Sequence, residues 1–134
     1  MAGIGKALWN HLKANVGVTT ALGSGGADKI YASAPPQNPT YPFIVYTLVT
    51  EPREYCLTTE TAQNSTVQID CWGKTYDQSN IVADAVQVAL DFYRGSFGGI
   101  VTALSTLRRS RQDLYEDATF EHRVSLDYSI LWRD

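Results

Sequence analysis

Residues 119–132, TFEHRVSLDYSILW, constrain this chain more than any other stretch. Phe120, His122, Val124, Leu126, Tyr128, Ile130 and Trp132 alternate with Glu121, Arg123, Ser125, Asp127 and Ser129. A strand turns successive side chains to opposite faces. The run therefore predicts a long antiparallel strand with one face on a core and the other in water or at an interface. Residues 65–72, STVQIDCW, repeat the pattern, with Val67, Ile69 and Cys71 against Thr66, Gln68 and Asp70. Residues 43–50, FIVYTLVT, are β-branched and aromatic, so they read as a strand covered at least partly on both faces. After a turn at GSFGGI (95–100), residues 100–115, IVTALSTLRRSRQDLY, read as the partner of the last strand.

Two stretches have helical spacing. Ile4, Ala7, Leu8 and Leu12 predict a short helix over about residues 3–15, with Gly17 as its stop signal. Residues 77–94, DQSNIVADAVQVALDFYR, predict a longer one. Thr75 and Gln78 have capping-box spacing, and Gly95 is placed to end the helix. Its apolar residues form two stripes: Ile81, Ala85, Val88 and Phe92, and beside them Val82, Val86, Ala89 and Tyr93. That arc is wider than one sheet face needs, so one side of the helix is expected to be sandwiched or to meet another subunit. Between the first helix and first strand, TTALGSGGADKIYAS reads as a flexible loop in which Ile30 and Tyr31 return to the core. Residues 51–63 read as a long loop or a two-stranded arm. The expected fold is one α+β domain over 1–134: an antiparallel sheet of about four strands with helices packed on one face.

Pro35, Pro36, Pro39 and Pro42 lead straight into the first strand. Each restricts the residue before it to extended geometry, so the segment should run near polyproline II. A stiff lead loses little entropy on ordering, so 35–42 is expected to act as a preorganised interface or strand-entry brace holding Tyr41 and Phe43.

The chain offers little for catalysis. Among 134 residues the formal net charge is −3, against generic nucleic-acid binding, and only RRSR (Arg108, Arg109, Arg111) forms a basic cluster. Arg109 and Arg111 are expected to alternate onto one strand face, where they serve as solvated charge or as a contact for phosphate or an acidic partner. Cys56 and Cys71 make no disulfide framework, and Cys71 is expected to be a buried thiol. His122 is expected at the core edge and His11 in solvent. Neither Gly-rich stretch continues into Gly-Lys-Ser/Thr, so no phosphate loop is read. No metal, cofactor or membrane span is expected, nor a signal peptide, so the product is expected to stay in the cytoplasm of the cell that makes it.

In order along the chain, KIYASAPPQNPTYPFIVYTL, then STVQIDCWGKTYDQSNIVADAVQVAL, then RRSRQDLYEDATFEHRVSLDYSILW resemble the phage tail-completion or tail-terminator proteins, over roughly residues 28–132. The Gly-rich loop at 23–26 departs from that pattern. The resemblance implies a ring of this chain, commonly of six subunits. Such a ring sits on the last ring of tail-tube protein, stops tube growth and offers a surface to head-side neck or connector proteins. It implies a place in the virion at the tail–neck junction and no catalytic residues. Pro35, Pro36, Tyr41, Arg108, Arg109 and Arg111 then become candidate interface or lumen contacts, with passing contact to DNA for the arginines. A head-side neck adaptor, or a small ligand- or DNA-binding α+β domain, are the competing readings.

Overall fold

The computed structural model describes residues 4–23, 25–35, 37, 39–50, 63–116 and 120–133. The chain begins with helices α1 (Ile4–Ala14) and α2 (Val16–Leu22), a 3-10 turn (Gly26–Asp28), and strands β1 (Ile30–Ala32), β2 (Phe43–Thr50) and β3 (Gln63–Gly73). Helix α3 (Tyr76–Leu90), β4 (Gly95–Phe97), β5 (Val101–Glu116) and β6 (Glu121–Arg133) complete it. The strands form one six-stranded sheet in the order β1-β2-β3-β6-β5-β4. All neighbours are antiparallel except β1, which lies parallel to β2. The α+β class holds, but the expected four antiparallel strands become six in a mixed sheet. The two additions are three residues long, too short to carry a periodic signal.

The alternation of the last strand is borne out from Val124 to Trp132, but Phe120, expected on the same inward face, lies in the turn before β6 and is 71% exposed. Val124, Leu126, Tyr128, Ile130 and Trp132 are buried, and their register partners Cys71, Ile69 and Val67 on β3 are buried with them. Helix α3 covers this face with Val82, Ala83, Val86, Ala89 and Leu90, all buried. Each fully buried Val or Leu side chain contributes roughly 1.5–3 kcal/mol. Beside it α1 contributes Ile4, Ala7, Leu8 and Leu12. Gly98, at φ +62, lets α1 approach closely: a Cβ there would stand 2.3 Å from the Ala7 carbonyl oxygen.

Three local expectations are corrected. Residues 19–22 belong to α2, not to a loop: Asn15 caps it, accepting from the Val18 amide, and Gly17 lies inside it. Helix α3 stops at Leu90 rather than Arg94, because Asp91 turns to ψ 122 and Phe92 to φ +59. Gly95 then opens β4, so the expected turn at 95–100 is half strand. The Thr75 cap is as read, with the Gln78 amide 3.1 Å from its hydroxyl, although the Gln78 side chain returns to the Lys74 amide at 2.8 Å. Residues 51–62, which carry the predicted loop or arm and Cys56, lie outside the described residues.

Candidate assembly surfaces

Among the described residues, the two histidines, Cys71 and Lys29 are each packed or bonded within the fold. His11 is half-buried rather than exposed. Its ring stacks on Phe97 with centroids 4.7 Å apart, and Nε2 lies 3.0 Å from the Ala89 carbonyl oxygen at the end of α3. His122 is half-buried at the edge of the core against Tyr115, 4.8 Å between centroids. It shares a cleft of about 220 Å³ with Tyr76, Ser79, Asn80 and Asp113. Cys71 is fully buried, as read, and burial pushes its thiol up. Lys29 is buried with its ammonium on the Leu22 carbonyl at 2.8 Å, and burial lowers its pKa. Among the described residues no three His, Cys, Asp or Glu groups could hold a metal ion, and no helix is long and apolar enough to cross a membrane.

The arginine cluster is split by the backbone. Two β-bulges, at Leu104 and Arg109, each insert one residue into β5 opposite β6. The second shifts the faces, so Arg111 falls opposite buried Leu126 and Arg108 opposite buried Tyr128, on the helix side. Arg109 is the extra residue, which corrects the expected pairing of Arg109 with Arg111. Arg111 spans to α3, 2.8 Å from Asp84 and 2.7 Å from Asn80, with Gln87 as a third partner. Arg108 and Arg109 are exposed. The neighbouring Tyr128 hydroxyl donates to Asp91 at 2.7 Å, and burial followed by that carboxylate pushes its pKa up.

The proline segment ends in a brace inside the molecule. Pro35 is exposed and Pro42 buried, and the Tyr41–Pro42 bond is cis. Pro36 lies outside the described residues. The Tyr41 hydroxyl donates to Glu121 at the start of β6. Its ring packs 5.0 Å from that of Phe43, with the Lys74 ammonium 4.5 Å above it. Phe43 in turn stacks on Trp72, which carries Arg123 at 5.0 Å. Burial, then the Glu121 hydrogen bond and charge, push the Tyr41 phenol up to about 12.

Helix α3 resolves its two stripes. The Val82–Val86–Ala89 stripe is buried, while Ile81 is 59% exposed, Val88 86% and Phe92 79%. Ile81 and Val88 lie on one outward face of α3, whereas Phe92, beyond the end of the helix, lines an open groove with Arg94 and with Leu104 to Leu107 of β5. Phe92 also holds φ +59, which costs a residue with a Cβ about 1–2 kcal/mol. Nothing in the apolar spacing foretold that strain; it arises where α3 ends early and the Phe92 amide turns to bond Thr106 O at 3.0 Å. At the sheet margins Leu48, Val49 and Leu107 are also exposed. The sequence reading missed them because bulges at Val49 and Leu104 interrupt strict alternation.

A chain of the structure described as the virion of the native gene transfer agent particle superposes with a TM-score of 0.69 at 13% identity, covering 95% of this chain and 92% of that one. At that identity the likeness shows a shared fold. No curated protein sequence matches. The family model described as tail completion protein gp17 matches residues 6–133. The chain therefore belongs to the tail completion protein gp17 family, structural components of phage tails.

Proposed function

We propose that this chain assembles into a ring, of six subunits as in the resemblance drawn above, that caps the tail tube, ends its growth and offers a docking face to head-side neck proteins. It acts by surface complementarity, with no chemical step. The observation that carries the reading is the outward stripe of α3. Ile81 and Val88 stay in solvent on an otherwise well-packed helix, and just beyond its end Phe92 is exposed from a strained backbone beside Leu104 and Leu107 of β5. Large exposed apolar patches on soluble proteins mark contact surfaces. Family membership supplies the setting, a phage tail. Within the ring, Arg108 and Arg109 are the cluster members free to meet DNA in the lumen, since Arg111 is engaged with α3. Pro35 and Pro36 remain candidate contacts, and Tyr41 serves them as an anchor.

The test adds purified protein to tail tubes of the same particle and images them by electron microscopy. Ring density at one tube end, with elongation stopped, is the expected result. Tubes that keep growing, or protein that binds portal-bearing heads but not tubes, would replace this reading with that of a neck adaptor.

A further inference from the structure

We infer that neighbouring subunits join helix to helix: the outward face of α3 in one copy of this chain, apolar and acidic, seats against the outward face of α1 in the next copy, basic and aromatic. The inference rests on the ring reading above and assigns its contact to two faces.

The two faces share one spacing and carry opposite charge. On α3, Asp77, Ile81, Asp84 and Val88 recur at helical spacing, so they form one line on the side turned away from buried Val82, Val86 and Ala89. All four are exposed, and the Asp84 side chain stays 67% exposed although it bonds Arg111 at 2.8 Å. On α1, Lys6, Trp9 and Lys13 recur in the same way and leave Ile4, Ala7, Leu8 and Leu12 to the core. Both lysines are exposed, and their ammonium groups lie 4.5 and 4.3 Å from the centre of the half-buried Trp9 ring. Val16, 76% exposed, follows where α2 begins. Lys6 and Lys13 are two helical turns apart, and so are Asp77 and Asp84, a rise of about 10.5 Å in each case. Laid side by side in the same direction, Lys6 meets Asp77, Trp9 meets Ile81 and Lys13 meets Asp84, with Val16 and Val88 at the same end.

Charge also selects the partner. Residues 4–27 contain no acidic residue, and α3 contains no lysine or arginine. Two α3 faces would set aspartate against aspartate, and two α1 faces lysine against lysine, so like pairs are rejected. The unlike pair uses two different patches of one chain, which is the head-to-tail contact that a ring requires. Exposed ion pairs add little attraction by themselves. Burial of Ile81, Val88 and the free part of Trp9 supplies it, while the charges fix register and partner.

Charge reversal with rescue tests the contact. Asp77→Lys/Asp84→Lys makes both faces basic, and Lys6→Glu/Lys13→Glu makes both acidic. Each is added to tail tubes, and occupied tube ends are counted in micrographs. Either double variant should lower occupancy roughly tenfold or more, while the chain with all four changes should return to within about threefold of wild type. Urea melts of the isolated proteins check folding. Should Asp84→Lys weaken the fold by releasing Arg111, Asp77→Lys with and without Lys6→Glu repeats the test away from that bond. On loaded wild-type tubes, carbodiimide should couple Lys6 to Asp77 between isotopically light and heavy chains. A double variant that loads as wild type, a fourfold variant that loads no better than the doubles, or lysines that couple to tube protein alone would overturn the helix contact. With wild-type rings present at tube ends, those results leave the ring standing. Wild-type protein absent from tube ends would sink the ring reading itself.

Discussion

Replacing Phe92 with glycine separates contact from folding. Phe92 is 79% exposed, so the fold buries about a fifth of it. Full burial of such a side chain is worth roughly 1.5–3 kcal/mol, so the isolated subunit loses about 0.3–0.6 kcal/mol. Against this, glycine relieves about 1–2 kcal/mol of left-handed strain at φ +59. The freer unfolded chain takes back roughly 0.4–1 kcal/mol. The balance lies within about 1 kcal/mol of zero, because each term is small and they oppose. The main-chain bond from residue 92 to Thr106 O survives the change. Phe97→Ala is the contrast: Phe97 is fully buried, and its truncation should cost about 3–5 kcal/mol. Urea denaturation of the isolated protein reads both values. In assembly the order reverses. An interface that buries the Phe92 ring loses roughly 1.5–3 kcal/mol, a drop of about 10–150-fold in occupancy of tube ends. A loss above about 2 kcal/mol in isolated Phe92→Gly, with unchanged m-value, would mean that the ring serves the fold. The case for a contact stripe would then fail.

Val88→Asp should leave urea stability within about 0.5 kcal/mol of wild type, as expected of an exposed site, yet abolish ring density on tubes in micrographs. Gly98→Ala should cost about 2–4 kcal/mol by the same melts, because its Cβ would meet the Ala7 carbonyl at 2.3 Å; Gly99→Ala, at φ +72 with nothing within 4 Å, should cost only about 1 kcal/mol. Tyr41→Phe should weaken the fold near neutral pH by about 1–3 kcal/mol through loss of the bond to Glu121. The Tyr41 phenol titrates near 12 in the fold and near 10 unfolded, so its contribution is complete below pH 10 and fades as pH rises through 12. The gap between wild type and Tyr41→Phe should therefore close over that window in alkaline melts.

The long elements were legible because their burial is periodic. Val124 to Trp132 and Val67 to Cys71 announce their faces by alternation; which strands pair, and in which register, is not carried by alternation, and the β3–β6 neighbourhood is seen only in the structure. Strands β1 and β4 were not legible, since three residues hold barely one repeat and their place depends on the edges they cover. Helix α2 was hidden by Gly17, Thr19 and Thr20, weak helix formers, with the Asn15 cap as the one local signal. The arginine faces were misread because a bulge is decided by pairing across the sheet, not by the strand's own residues. Counting from Leu107 by twos puts Arg109 and Arg111 together; the extra residue at 109 puts Arg111 with Arg108 instead.

Where local rules break is itself informative. A sequence under selection only to fold would place glycine or asparagine at φ +59 and a polar residue in solvent, yet position 92 holds phenylalanine. Phe120 repeats the anomaly at the β5–β6 turn, exposed and at φ +55. By contrast the polar groups that could have formed a reactive site obey theirs: His11 on a helix carbonyl, Tyr128 on Asp91, Arg111 on three α3 side chains. Departures from folding logic thus gather mainly on the outer surface; inside, among the described residues, Thr106 Oγ1 and Arg123 Nε are the buried side-chain atoms left without a hydrogen-bond partner. That distribution is what a building block requires, because its partners, absent from the isolated subunit, complete the rules that the single chain leaves open.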